Sequence, residues 1–335
     1  MYRRSRYFVA LVAAVALCGA CSTSQENSST EPANSSTAQE TQSRVVTHVL
    51  GEVRLPTEPQ NLIALDEIAG LTALSLGVTP KVVYASTGDA PAQAILTKAG
   101  SAVIDVEVGT LPPVEELATK DPDVLIGTGA QSATGISYDQ LSKIAPTLVI
   151  DVEGTWREHI ESSAKFFGKE EIGARQISAI SAELAAAKTA QPDPQVLSLL
   201  GNSFSTTTFT MPPHLPISNL IADAGFVRPA FQQQEAEGYS VVLSPELLAE
   251  QNAPLIAIPN GKFYTADAVL ALPTAGSLTG TIVKPVGELW FGTYGFAYFA
   301  TASDLRTLAG GGTDVATTDD VQVLWDSFTK QTVNE

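Results

Sequence analysis

The stretch from Gly168 to Lys188, GKEEIGARQISAISAELAAAK, constrains the fold more than any other part of the chain. Ile172, Ile177, Ile180 and Leu184 fall close to one face, Ala, Glu, Gln and Lys fill the rest, and no proline intervenes until Pro192. That period and length predict one long unbroken helix. A related segment lies on each side of it. PVEELATKDPDVLI begins at Pro113 and SPELLAEQNAPLIA at Ser244. Aligned, Glu115 meets Glu246, Leu117 meets Leu248, Ala118 meets Ala249, Asp121 meets Asn252 and Val124 meets Leu255. Each copy reads as an acidic helix start, a short helix, a turn and an apolar strand. Unrelated αβ units also share an apolar skeleton, which is the competing explanation of a single imperfect repeat. One helix joining two such units predicts an α/β protein of two lobes with a cleft between them.

The N-terminus reads as a targeting segment. Arg3, Arg4 and Arg6 precede the apolar run FVALVAAVAL, which is too short to remain as a membrane helix. The run ends in LCGAC, with a small residue, Ala20, ahead of Cys21. This pattern resembles a bacterial lipoprotein lipobox, although Cys18 stands where Leu, Val or Ala is usual. The resemblance implies cleavage after residue 20 and a diacylglycerol on Cys21, which would anchor the protein to the outer face of a membrane. Ordinary secretion with a free Cys21 thiol is the alternative. Cys18 and Cys21 are the only cysteines in the chain, so removing the signal leaves no disulfide. Ser22 to Ser43 is rich in Ser, Thr, Gln, Glu and Asn and reads as a polar tether. The expected layout is a signal over 1–20, the tether over 21–44, one lobe over 45–154, a helical bridge over 155–191 and a second lobe over 192–335.

The formal net charge of −17 disfavours nucleic acid as a partner. In the first lobe, a hairpin is expected to turn near Gly51, with buried strands at NLIALD, KVVYAS, Val103–Val106, VLIGTG and TLVIDV. Helical stretches alternate with those strands, so the sheets should be mostly parallel and covered on both faces. Ligands meet such sheets at the carboxyl ends of the strands. Tyr84, Ser86, Thr87, Gly129, Gln131 and Ser132 occupy those positions. GTGAQSATG has the glycines of a phosphate loop but neither its lysine nor its spacing.

GEVRLP with NLIALD, then ALSLGVTP, GTLPPVEELATKDPDVLIG and YDQLSKIAPTLVI follow one another here. In that order they resemble the periplasmic-type binding proteins of ferric-siderophore, haem and cobalamin ABC importers, from about Thr47 to Lys330. The resemblance implies two αβ lobes bridged by one long helix and no enzymatic activity; a rigid helical bridge should permit only small closure. It also implies a surface glutamate on each lobe that docks onto the permease; the matching residues are Glu115 and Glu246. Acids at helix N-termini are favoured by the macrodipole in any case.

A ferric chelate with aromatic and anionic parts would be held by rings and a cation. The second lobe reads as strand QVLSLLG, a polar loop NSFSTTTFTMPPHLP, a helix PISNLIADAGF and a loop VRPAFQQQEAEGYSVV, before the second repeat copy. Its loops hold Tyr239, Tyr264, Trp290, Phe291 and Tyr294. Arg228 is the first choice for the cation; Arg157 lies too near the bridge to judge. Candidate ligand contacts are therefore Arg228, Tyr84, Trp290, Tyr294, Tyr239, Tyr264 and Gln131. Each aromatic also has a plainer reading as core, and Arg228 one as a rim charge. His48, His159 and His214 are the only histidines and form no cluster with carboxylates in the sequence, which argues against a bare transition metal as ligand. Haem stays open through His214 or a loop tyrosine. Ser162 and Lys165 have the S-x-x-K spacing of a penicillin-recognising hydrolase, but S-D-N and K-T-G are missing and a solvated helix face explains the pair. The expected activity is capture of a ferric siderophore by a monomeric, lipid-anchored binding protein that delivers it to ABC permease subunits, with haem or cobalamin as the alternative ligand.

Overall fold

A computed structural model describes residues 43–108, 110–129, 137–203 and 207–334. Cys21 and Gln131 lie outside the described residues. An antiparallel hairpin opens the described chain: β1 (Ser43–His48) pairs β2 (Gly51–Pro56), with Val46 facing Val53 and His48 facing Gly51. Next come β3 (Leu62–Ala64), α1 (Glu67–Ser75), β4 (Val82–Ser86), α2 (Ala90–Lys98), β5 (Ala102–Val106), α3 (Val114–Thr119), β6 (Val124–Thr128), α4 (Tyr138–Leu141) and β7 (Thr147–Ile150). The strands form one parallel sheet in the order β5-β4-β3-β6-β7. β3, β6 and β7 are buried along their whole length, as apolar strands covered on both faces must be.

Two helices then link the halves. In α5 (Trp156–Phe167), Thr155 accepts from the Glu158 N–H while the Glu158 carboxylate reaches back to Thr155, a capping box. Gly168 ends α5 in the left-handed region, at φ 62°. The long helix expected from the sequence therefore starts after Gly168, as α6 (Glu170–Ala190). Its buried stripe is Gly173, Gln176, Ile180, Leu184 and Ala187, whereas Ile172 and Ile177 are half-buried. Gly173 lets α5 approach closely, since a Cβ there would press on the Ala164 methyl.

The second half contains β8 (Leu197–Leu199), β9 (Gly201–Ser203), β10 (Thr207–Thr210), α7 (Pro216–Asp223), β11 (Val241–Val242), β12 (Leu255–Ala257), α8 (Ala266–Leu270), β13 (Thr281–Val283), α9 (Gly287–Trp290), α10 (Gly295–Ala309) and α11 (Val321–Thr332). A parallel sheet runs β13-β12-β8 and an antiparallel one β11-β10-β9. The antiparallel sheet is a departure from expectation, because its strands occupy segments whose sequences read as loops. The repeat copies land at matching places: α3 feeds β6, and a 3-10 turn at Pro245–Gln251 feeds β12. Leu117 and Leu248 are both fully buried beneath these turns. The second copy is a 3-10 helix rather than an α-helix, with proline in its first turn. α10 lies along α6, and α11 and α5 pack beside them. Among the described residues, no helix is long and apolar enough to cross a membrane.

Candidate functional site

A cavity of about 320 Å³, open on one side, lies between the halves. Ile68 at the start of α1, Thr128 at the end of β6 and Val152 after β7 line it from the first half. The opposite wall is aromatic, with Phe209 from β10, Tyr264, Trp290 and Phe291. Met211, Leu215 and Ile217 complete the floor, and Tyr239 and Ser240 stand beside them. The rings support one another: Tyr264 and Phe291 lie 4.6 Å apart at 49°, and Phe291 and Phe209 lie 5.5 Å apart at 48°. Both tilts are favoured aromatic geometries. Two glycines make the wall possible. A Cβ on Gly201 would fall within the Phe209 ring, and one on Gly287 within the Tyr264 ring.

Hydrogen bonds brace the lining at Trp290 and Thr128. Trp290 is 1% exposed, and its indole N–H donates to Asp304 Oδ2 at 2.8 Å. The other Asp304 oxygen accepts from the Ala316 N–H at 2.8 Å, and burial lifts this carboxyl to about 6. Asp66 caps α1 through Ala69 N at 2.7 Å and accepts from Thr128 N at 2.8 Å, tying the helix start to the end of β6. Tyr239 is 49% exposed at the mouth, and its hydroxyl faces Glu153 of the first half; burial and the Glu153 and Asp151 charges hold its phenol above the ordinary range.

Of the residues expected from the sequence to contact a ligand, Trp290, Tyr239 and Tyr264 line the cavity. Tyr84, Tyr294 and Arg228 do not. Tyr84 points into the core beneath α3, among Ile63, Leu117 and Leu125, and its hydroxyl donates to Glu116 Oε1 at 3.0 Å. The sequence reads Tyr84 as a loop residue at a strand's carboxyl end, whereas it sits in the middle of β4, where strand alternation turns its side chain into the core. Tyr294 is buried behind the wall beside His159 and Gln176. Arg228 is 7% exposed and enclosed in its own half. Its guanidinium donates to Gln232 Oε1 at 3.1 and 2.9 Å, Met211 O at 2.8 Å, Ser218 Oγ at 2.6 Å and Thr210 Oγ1 at 2.8 Å. None of these acceptors is a carboxylate, and burial lowers the group to about 10. Arg228 is therefore a structural cross-link of β10, α7 and the turn that follows. Its acceptors come from three separate segments, which nothing in the local sequence announces.

Sequence reasoning did not assign Ile68, Val152, Phe209 or Met211 to the site. Their only signal is apolar character in or beside loops. The S-x-x-K pair carries no activated nucleophile: Ser162 Oγ donates to His159 O at 3.2 Å, and Lys165 is exposed. His159 is buried, within 2.6 Å of the Tyr298 hydroxyl and 2.5 Å of Glu153 O. His214 is half-buried and does not line the cavity. Among the described residues, no group of three or more His, Cys, Asp or Glu side chains could hold a metal ion.

Residues 60–281 match the family described as periplasmic binding protein. The chain belongs to that family. The "Probable siderophore-binding lipoprotein YfiY" of Bacillus subtilis is 30% identical over 171 residues, so the match spans about half the length of each chain. The "Ferric enterobactin-binding periplasmic protein FepB" of Escherichia coli is 27% identical over 210 residues, 59% of this chain and 66% of that one. In structure, the chain resembles the catecholate-siderophore binding protein VctP of Vibrio cholerae, with a TM-score of 0.63 at 19% identity, covering 81% of this chain and all of the other. It also resembles Staphylococcus aureus SirA, solved with staphyloferrin B, with a TM-score of 0.63 at 20% identity, covering 79% of this chain and 98% of that one. These likenesses establish the two-lobed α/β fold. The family consists of substrate-binding proteins.

Proposed function

We propose that this chain is the lipid-anchored, extracytoplasmic binding component of an ABC importer and that it captures a ferric siderophore. The observation that carries the proposal is the ring-walled cavity between the lobes of a periplasmic binding protein. Aromatic walls supply contact area at low conformational cost, as a non-covalent capture site needs. The enclosed volume takes the metal-bearing core of a chelate, and the open side beside Tyr239 leaves room for its arms. The names of the curated relatives agree with this ligand class. Trp290, Tyr239 and Tyr264 are the contacts proposed. Glu115 and Glu246 are proposed as the permease-docking pair; both are exposed, each in the first turn of its repeat copy. Cys21 is the proposed lipidation site.

Tryptophan emission tests the reading, because Trp290 forms part of the wall. The protein would be titrated with ferric hydroxamate, catecholate and citrate chelates, then haem and cobalamin, with an inner-filter control. Saturable quenching by a ferric chelate is expected. Quenching by haem alone would reassign the ligand, and no response to any of them would refute capture in this cavity.

A further inference from the structure

The charges around the cavity bear on which ferric chelates it can hold. Among the described residues that line it, none is Lys, Arg or His. The segments 130–136 and 204–206, AQSATGI and FST, contain none either. Arg228, the cation nearest in sequence to the floor residues, spends its donors on neutral acceptors inside its own half.

Carboxylates, in contrast, gather behind the wall and at the mouth. Glu67 adjoins the lining residue Ile68, and its Oε2 accepts from Ser86 N at 3.1 Å. Glu288 precedes the lining residues Trp290 to Thr293, and its Oε1 accepts from Lys262 N at 2.7 Å. The carboxylates of Glu288 and Glu67 both act on Tyr264 in the wall, and Asp89 is buried close by. At the mouth, Asp151 and Glu153 flank the lining residue Val152. The Lys262 stem lies across the Gly88 turn, at the exposed edge of this group.

We propose that this cavity selects ferric chelates of neutral or positive net charge, the trihydroxamate class, and rejects trianionic tris-catecholates and carboxylate chelates. The inference rests on the siderophore reading above. Three hydroxamates neutralise Fe(III), and a pendant ammonium makes the complex cationic. Three catecholates leave the complex trianionic, and such a ligand would need a cation that this wall does not offer. At about 10 Å and an effective dielectric near 20, each unit of ligand charge changes affinity by roughly tenfold. The selection separates this chain from its structural neighbours VctP and SirA, whose shared fold at 19% and 20% identity leaves the ligand chemistry of this cavity to its own residues.

Isothermal titration of the full chain in mild detergent tests the proposal with four probes. They are a linear ferric trihydroxamate with a free ammonium, a neutral cyclic ferric trihydroxamate, a ferric tris-catecholate and ferric citrate. The cationic chelate should bind about tenfold tighter than the neutral one, and the two anionic chelates on the order of a hundredfold or more weaker. Raising salt from about 50 mM to about 500 mM should erode the cationic preference while leaving the neutral chelate in place. Glu67→Gln with Glu288→Gln keeps both acceptor oxygens and should shrink the cationic preference to about threefold. A tris-catecholate that binds as tightly as the trihydroxamates would overturn charge selection and leave siderophore capture standing. A cationic preference that is absent, or insensitive to both salt and the paired substitution, would also overturn it. If no ferric chelate of any charge binds, the siderophore reading falls and this inference falls with it.

Discussion

Asp89 offers the sharpest test of the electrostatics between the lobes. Its Oδ1 caps α2 by accepting from Ala92 N at 3.1 Å, and the side chain is buried. Burial lifts its carboxyl from an ordinary 3.8 to about 7, with Glu67 and Glu288 pushing the same way and the Ala92 N–H pulling back. The native state therefore keeps this proton long after the unfolded chain has lost it. Stability should fall as pH rises from about 4 to about 7, and the full penalty should persist above that. A difference of roughly three pH units corresponds to about 4 kcal/mol. Asp89→Asn retains the capping oxygen and removes the charge. It should raise stability by about 2–4 kcal/mol at pH 8 and by almost nothing near pH 4, flattening the profile between. Urea unfolding of both proteins at steps from pH 4 to pH 8 measures this directly. An Asp89→Asn variant that is no more stable at pH 8, or that keeps the native pH slope, would show that Asp89 is ionised at little cost and would refute the reasoning.

Arg228→Met should destabilise the chain by about 2–4 kcal/mol in urea unfolding, because it removes the buried charged donor that ties Thr210, Met211, Ser218 and Gln232 together. Gly201→Ala should displace the Phe209 ring from the cavity wall, costing about 1–3 kcal/mol and weakening chelate binding in the emission titration. Glu115→Ala combined with Glu246→Ala should abolish iron uptake in cells while chelate affinity in calorimetry stays at the native value. Small-angle scattering with and without chelate should show only a slight change in radius of gyration, since α6 is held along its length.

The scaffold was legible where periodicity runs long. α6 has enough turns for its 3.6-residue pattern to stand out; it begins two residues later than expected, after the helix terminator Gly168, and ends two residues later, at Ala190. β3, β6 and β7 were legible because burial on both faces makes them continuous apolar runs. The β9-β10-β11 sheet was not, because its strands are two to four residues long, too short for alternation to register. Composition told that aromatics crowd the second lobe's loops, but not which rings face the cleft. Trp290 and Tyr294 sit four residues apart around the start of α10, and one lines the cavity while the other is buried behind it. Arg228 was illegible in the same way, since a loop arginine reads as exposed until its acceptors are seen to converge on it.

α6 is laced to both halves: Gln176 donates to Ser75 O of α1 at 2.7 Å, Arg175 to Thr332 O of α11 at 2.8 Å, and Glu183 pairs with Arg306 of α10 at 3.0 Å. A member so braced makes the span between the Glu115 and Glu246 turns nearly a constant of the molecule. A constant carries no message. If the permease grips those two acids, their separation cannot tell it whether cargo is aboard. On the proposed function, the signal would then be written at the mouth, where Tyr239 faces Glu153 and a bound chelate would come between them.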